Sequence, residues 1–103
     1  MRPDEIRKCL QAVGTVPGRM EMITSSKGFT AVVDYAHAPD ALEKALVALR
    51  TATTGKVSVV FGATGDRDTT KRPSMGEIAV KFADQIYLTD DENYSENGDS
   101  IRK

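Results

Sequence analysis

The chain has little of what most metal, redox and hydrolytic chemistry is built from. Its 103 residues include one cysteine, one histidine and no tryptophan. A single cysteine excludes an intrachain disulfide and a cysteine-cluster metal site. Cys9 lies beside Ile6, Leu10 and Val13 in an amphipathic run, so it is expected to be a small buried hydrophobe rather than a reactive thiol. A lone histidine with no nucleophile signal nearby gives no ground for a hydrolase triad. No apolar run approaches the length of a bilayer span. Met1 is followed by Arg2, Asp4 and Glu5, so no signal peptide is expected and a cytoplasmic location is the default. The formal net charge of −1 gives neither nucleic acid nor an anionic membrane a reason to bind. The phosphate loop G-x-x-x-x-G-K-[ST] is missing, as is G-x-G-x-x-G after a strand. Gly62-Ala63-Thr64-Gly65 has a superficial likeness to a dinucleotide loop, but Asp66 and Asp68 follow where a pyrophosphate would be repelled. There is no internal repeat and no low-complexity tract.

What is present is an alternation of short apolar runs and helical spacings. Pro3, Asp4 and Glu5 suit the start of a helix over residues 4–13, which Gly14 stops. Met20–Ile23 and Phe29–Tyr35 read as strands joined by the loop Ser25-Ser26-Lys27-Gly28. The run Thr30-Ala31-Val32-Val33 is nearly all apolar or β-branched and is expected to be buried on both faces. Pro39 and Asp40 open a helix whose apolar face is Ala41, Leu42, Ala45, Leu46 and Leu49, with a polar loop over 51–56. Val57–Phe61 is the next strand, followed by a charged, glycine-containing loop over 62–72. Pro73 starts another helix with Met75, Ile78, Ala79, Phe82 and Ala83 inward, and Gln85–Thr89 is a third core strand. An acidic loop, Asp90–Glu96, comes next, and residues 100–103 are expected to form nothing. This order predicts an α/β fold with a mostly parallel sheet, right-handed crossovers and an N-terminal β-hairpin. So few strands make a thin sheet, so the chain is expected to be a piece of something larger or to need a partner surface.

The polar residues gather in two segments, Asp34-Tyr35-Ala36-His37-Ala38-Pro39-Asp40 and Gly62-Ala63-Thr64-Gly65-Asp66-Arg67-Asp68. Both follow a strand, and in open α/β sheets ligands bind at the carboxyl ends of strands. His37 reads either as a surface or capping histidine or as a ligand contact beside Asp34, Tyr35 and Asp40. Arg67 reads either as an exposed ion-pair member, worth about 0–1 kcal/mol, or as a planar fork for a carboxylate or phosphate. Lys71 and Arg72 read as anion holders or as solvated charges. Asp90, Asp91 and Glu92 read as a solvated loop, or as a site for a metal or a cationic substrate group.

Val16-Pro17-Gly18-Arg19-Met20-Glu21, then Asp34 to Leu42, Gly65-Asp66-Arg67-Asp68 with Lys71-Arg72-Pro73, Met75-Gly76 and Thr89-Asp90-Asp91 run in this order across nearly the whole chain. Together they resemble the carboxyl-terminal domain of the Mur ligases. Within that family they are most similar to the branch that adds the third residue of the peptidoglycan stem peptide. The resemblance implies a Rossmann-like domain of an ATP-dependent amide ligase. In such ligases the stem-peptide carboxylate attacks ATP to give an acyl phosphate, and an incoming amine displaces phosphate. It implies ATP, magnesium, an amino acid and UDP-N-acetylmuramoyl-dipeptide as ligands. The phosphate loop, magnesium sites and a carbamylated lysine belong to a central domain that nothing here matches. Residues 1–15 then read as a connecting helix from that domain, and 16–103 as a partial carboxyl-terminal domain, without the later strands.

Carried over by position, Arg19, Asp34, Tyr35 and His37 are implied nucleotide contacts, with Asp34 on the ribose. Arg67 is the implied grip on the amino acid's carboxylate, and Asp91, Glu92 and Tyr94 line the substrate loop. Diaminopimelate-adding members show Asp-Asn-Pro-Arg where this chain reads Asp91-Glu92-Asn93-Tyr94. Loss of that arginine, with Glu92 added, is expected to disfavour a second carboxylate and to suit lysine or another cationic or neutral amino acid. The isolated chain is expected to be inactive, because nothing in it orients or neutralises the transferring phosphoryl group. Two other readings stay open: a related Mur or folylpolyglutamate ligase domain, and a stand-alone binding module of the same fold.

Overall fold

A computed structural model describes residues 1–103. Four helices and four strands run in the order α1 (Pro3–Ala12), β1 (Glu21–Thr24), β2 (Thr30–Val33), α2 (Pro39–Ala52), β3 (Ser58–Phe61), α3 (Lys71–Phe82), β4 (Gln85–Leu88) and α4 (Gly98–Arg102). They divide into two compact units, Met1–Tyr35 and Ala36–Lys103.

In the first unit β1 and β2 pair antiparallel, Glu21 opposite Val33 and Thr24 opposite Thr30. Gly28 turns the hairpin at φ 85°, a left-handed conformation that costs glycine nothing. The Ser25 N–H closes the turn on the Phe29 carbonyl at 2.9 Å. Two expectations fail here. Thr30–Val33 is not buried on both faces, because its partner strand is β1 alone; Val33 is 47% exposed. Cys9 is exposed, because no element covers the apolar stripe of α1.

The second unit holds the core. Leu42 and Leu46 of α2 meet Met75 of α3 and Val57 just before β3, with Phe61, Ile78 and Phe82 packed around them. These are the inward positions expected from helical spacing. Burial of each such side chain contributes about 1.5–3 kcal/mol. β3 and β4 pair in parallel, Ser58 opposite Gln85 and Phe61 opposite Leu88, with α3 as the crossover. Parallel pairing is between these two strands. Only one face of the pair is covered: Val59 packs on the core, while Val60 and Tyr87 remain exposed.

Arg50 ties the far end of the unit together. Its Nε donates to the Phe82 carbonyl at 2.6 Å and its Nη2 sits 2.9 Å from Asp84. Asp84 in turn accepts the Val57 N–H at 2.7 Å. The Arg50 hydrogen bond, then that backbone bond, lower the Asp84 carboxyl below its ordinary pKa. The final segment is not structureless as expected: Asn97 caps α4 by accepting the Asp99 N–H at 2.8 Å, and Arg102 pairs with Asp90 and Asp99. No helix is long and apolar enough to cross a membrane.

Candidate functional site

Because β3 and β4 are parallel, the loops that leave them, 62–70 and 89–97, emerge on the same side and lie together. The glycines of the first loop allow this. A Cβ on Gly62 would stand 2.6 Å from the Thr89 carbonyl oxygen, and one on Gly65 would overlap the Asn93 carbonyl. The Gly65 N–H instead donates to the Glu92 carbonyl at 2.8 Å. Gly62-Ala63-Thr64-Gly65 is thus a close-packing element between loops.

Side chains then lock the two loops. Arg72, near the start of α3, makes a two-pronged contact with Glu96, Nη1 to Oε2 at 2.9 Å and Nη2 to Oε1 at 2.8 Å. The same Nη2 reaches the Thr64 carbonyl at 3.3 Å, and Glu96 Oε1 also accepts the Asp66 N–H at 2.7 Å. The Asp66 carboxylate accepts from Ser95 twice, from its N–H at 3.0 Å and its hydroxyl at 2.6 Å. Hydrogen bonding from Arg72 and from the Asp66 backbone lowers the Glu96 pKa from 4.5 to about 2. Both Ser95 bonds lower that of Asp66. Arg72 and Glu96 escaped the sequence reading: Arg72 was expected to be an anion holder or a solvated charge, and a partner 24 residues away leaves no local signal.

Of the substrate-site candidates, Arg67, Glu92 and Tyr94 come together. The Tyr94 hydroxyl donates to Glu92 Oε2 at 2.5 Å. That bond, reinforced by the Glu92 charge, raises the Tyr94 pKa, and the neighbouring Arg67 guanidinium acts against the rise. The set offers one cationic fork, one hydroxyl and one carboxylate, which suits an amino-acid zwitterion: the fork for the carboxylate, the carboxylate for an ammonium. Asp91 is turned elsewhere. Its oxygens accept from the Thr64 hydroxyl at 3.0 Å and from the Glu92 N–H at 2.8 Å.

The nucleotide candidates fall in both units. In the first, the Arg19 guanidinium carbon lies 4.4 Å from the centre of the Tyr35 ring, a cation–π contact. Asp34 Oδ2 accepts the Met20 N–H at 2.9 Å, and Met20 is left-handed at φ 45°. A cationic fork, an aromatic face and a carboxylate fit part of a nucleotide. His37 belongs to the second unit, where its carbonyl accepts from Lys71 Nζ at 2.8 Å. No group of three or more His, Cys, Asp or Glu side chains is placed to hold a metal ion. A cavity of about 450 Å³ opens between the strand ends, α3 and α4, against Phe61, Met75, Leu88 and Ile101. Arg67, Glu92 and Tyr94 do not line it; Arg72, Arg102 and Lys103 are among the residues that do.

Residues 18–103 match the family described as Mur ligase, glutamate ligase domain. This chain belongs to the Mur ligase family. Its fold is that of the family's carboxyl-terminal domain. The solved structure of a UDP-N-acetylmuramoyl-L-alanyl-D-glutamate–2,6-diaminopimelate ligase superposes with a TM-score of 0.76 at 39% identity, over 86% of this chain and 18% of that one. The ligase of the same name from Rickettsia typhi is 52% identical over 101 residues, 96% of this chain and 20% of the relative. The one from Mesorhizobium japonicum is 50% identical over 94 residues, 90% of this chain and 19% of the relative. This Mur ligase domain therefore spans about a fifth of the length of the curated relatives it matches.

Proposed function

We propose that this Mur ligase domain is the part of an ATP-dependent amide ligase that receives the incoming amino acid. The ligase adds that amino acid as the third residue on UDP-N-acetylmuramoyl-dipeptide in cytoplasmic peptidoglycan synthesis. The observation that carries this reading is the meeting of Arg67 with Glu92 and Tyr94 at the carboxyl ends of two parallel strands, in a chain of this family. Arg67 holds the amino acid's carboxylate, which fixes the amine for attack; positioning of this kind is the domain's contribution to rate. Glu92 and Tyr94 face the side chain. A carboxylate there favours a neutral or cationic end, so lysine is preferred over a side chain ending in a second carboxylate. Arg19, Asp34, Tyr35 and His37 contact ATP, with Asp34 on the ribose. The phosphate loop and magnesium ligands lie in a preceding domain, to which residues 1–15 connect. ATP, when bound, would supply the phosphoryl group that activates the stem-peptide carboxylate; the residues of this chain orient the acceptor.

The test is ADP release by the ligase that carries this segment, with a panel of amino acids and UDP-N-acetylmuramoyl-dipeptide. Turnover should depend on both substrates. Arg67→Ala should raise the apparent KM for the amino acid by about tenfold or more, the scale of a lost charge-assisted hydrogen bond. Unchanged amino-acid kinetics would remove Arg67 from the site, and a preference for diaminopimelate over lysine would overturn the assignment of Glu92 and Tyr94.

A further inference from the structure

The side chains proposed to meet the acceptor sit on loops with strained, closely spaced backbones. Asp66, just before Arg67, has φ 53°, and Tyr94 itself has φ 49°. Non-glycine residues rarely hold this left-handed conformation, and they keep it only where surrounding bonds over-determine it. Here those bonds form a closed circuit. The Asp66 N–H binds Glu96, Glu96 binds the Arg72 fork, Arg72 returns to the Thr64 carbonyl, and the Asp66 carboxylate binds Ser95. The circuit brackets Arg67 on one loop and Tyr94 on the other. Arg72 and Glu96 are only 16% and 27% exposed, and each has its charged end committed to the other. Both Glu96 oxygens and both Arg72 Nη atoms are engaged, and only the buried Arg72 Nε has no partner.

We propose that Arg72 and Glu96, with Asp66 and Ser95, are positioning residues that set the spacing of Arg67 and Tyr94 and thereby the affinity for the acceptor amino acid. This deepens the ligase reading above and rests on it. The circuit acts through geometry: a fork held in a bidentate pair has one orientation, whereas a single bond leaves it a cone. Glu96→Gln keeps the shape of the side chain but sets an NH2 group against one prong of the Arg72 fork. The loops then lose their fixed register while the α2–α3 core, built from other residues, is untouched.

The experiment is steady-state kinetics of the ligase carrying this segment, with the side chains followed by NMR in the same proteins. Glu96→Gln should raise the acceptor KM about tenfold, as ångström-scale misplacement does, with the ATP KM within about twofold of the unmodified value. Arg72→Lys, which keeps the charge and loses the second prong, should fall between the two. Ser95→Ala, an exposed position whose loss does not threaten folding, should give a smaller rise confined to the acceptor. The Arg67 and Tyr94 side-chain resonances should shift in each variant. A parallel loss of ATP and acceptor affinity, or acceptor kinetics unchanged in Ser95→Ala and Arg72→Lys, would overturn the proposal. If the unmodified protein shows no acceptor-dependent turnover, the ligase reading fails instead. The resonances then decide the circuit's role: unmoved Arg67 and Tyr94 signals in Glu96→Gln would refute it.

Discussion

A methyl group at residue 65 has nowhere to go. It would be driven into the Asn93 carbonyl, which is backbone and cannot swing aside. Gly65→Ala should therefore part the loops at a cost of about 1–3 kcal/mol, the range for overpacking, measured as a lower urea midpoint. An unchanged midpoint would mean that the Gly65–Glu92 bond is dispensable. Glu96 carries a pH signature at the same scale. Its pKa is lowered from 4.5 to about 2 by Arg72 and the Asp66 backbone. A lowered carboxyl pKa means that the folded state binds protons less readily than the unfolded one. The stabilisation is therefore complete above pH 4.5 and is lost as pH falls toward 2. Asp66 and Asp84 shift the same way and add to the loss. The melting temperature should fall across this window, and Glu96→Gln should make the fall shallower. An equally steep fall in that variant would assign the acid sensitivity to other carboxylates.

Among the elements, α2 and α3 were legible because their apolar residues recur with helical period and nothing overrides them. Leu42, Leu46, Met75 and Ala79 are the buried positions of the two helices. Leu46 is 2% exposed, so Leu46→Ala should cost about 2–5 kcal/mol, transfer plus cavity, seen as a downward shift in thermal unfolding. A cost under about 1 kcal/mol would mean that the core collapses onto the gap. The five-residue α4 was not legible, because a helix that short has no period to read. Asn97 caps it, and Arg102 secures it to Asp90 on the preceding loop, a contact that only the folded chain creates. Similarly, α1 has an apolar stripe with Cys9 on it, yet nothing covers the stripe. Periodicity identifies the helix but not the surface that meets it.

Across the whole molecule, burial is uneven. Every buried residue lies between Ala36 and Lys103, and the first unit has none. Regions with few buried apolar contacts open at lower free energy than the core. Amide hydrogen exchange should therefore be faster across β1 and β2 than across β3, α2 and α3. Equal protection in the two groups would show a single cooperative unit. The expected β-hairpin is β1 with β2, and the parallel pairing is β3 with β4. Strand propensity predicted each strand, but pairing is non-local and leaves no trace in a run of apolar residues.

The sequence by itself determined the helices with a full apolar period, the strands, the family and the neighbourhood of Arg67, because spacing and motif are properties of adjacent residues. The tertiary structure decided which strands pair, which apolar stripes stay exposed and how Arg67 meets Tyr94. Those outcomes depend on bonds such as Arg72–Glu96 and Gly65–Glu92, whose partners lie far apart along the chain and meet only when the two parallel strands bring their loops together.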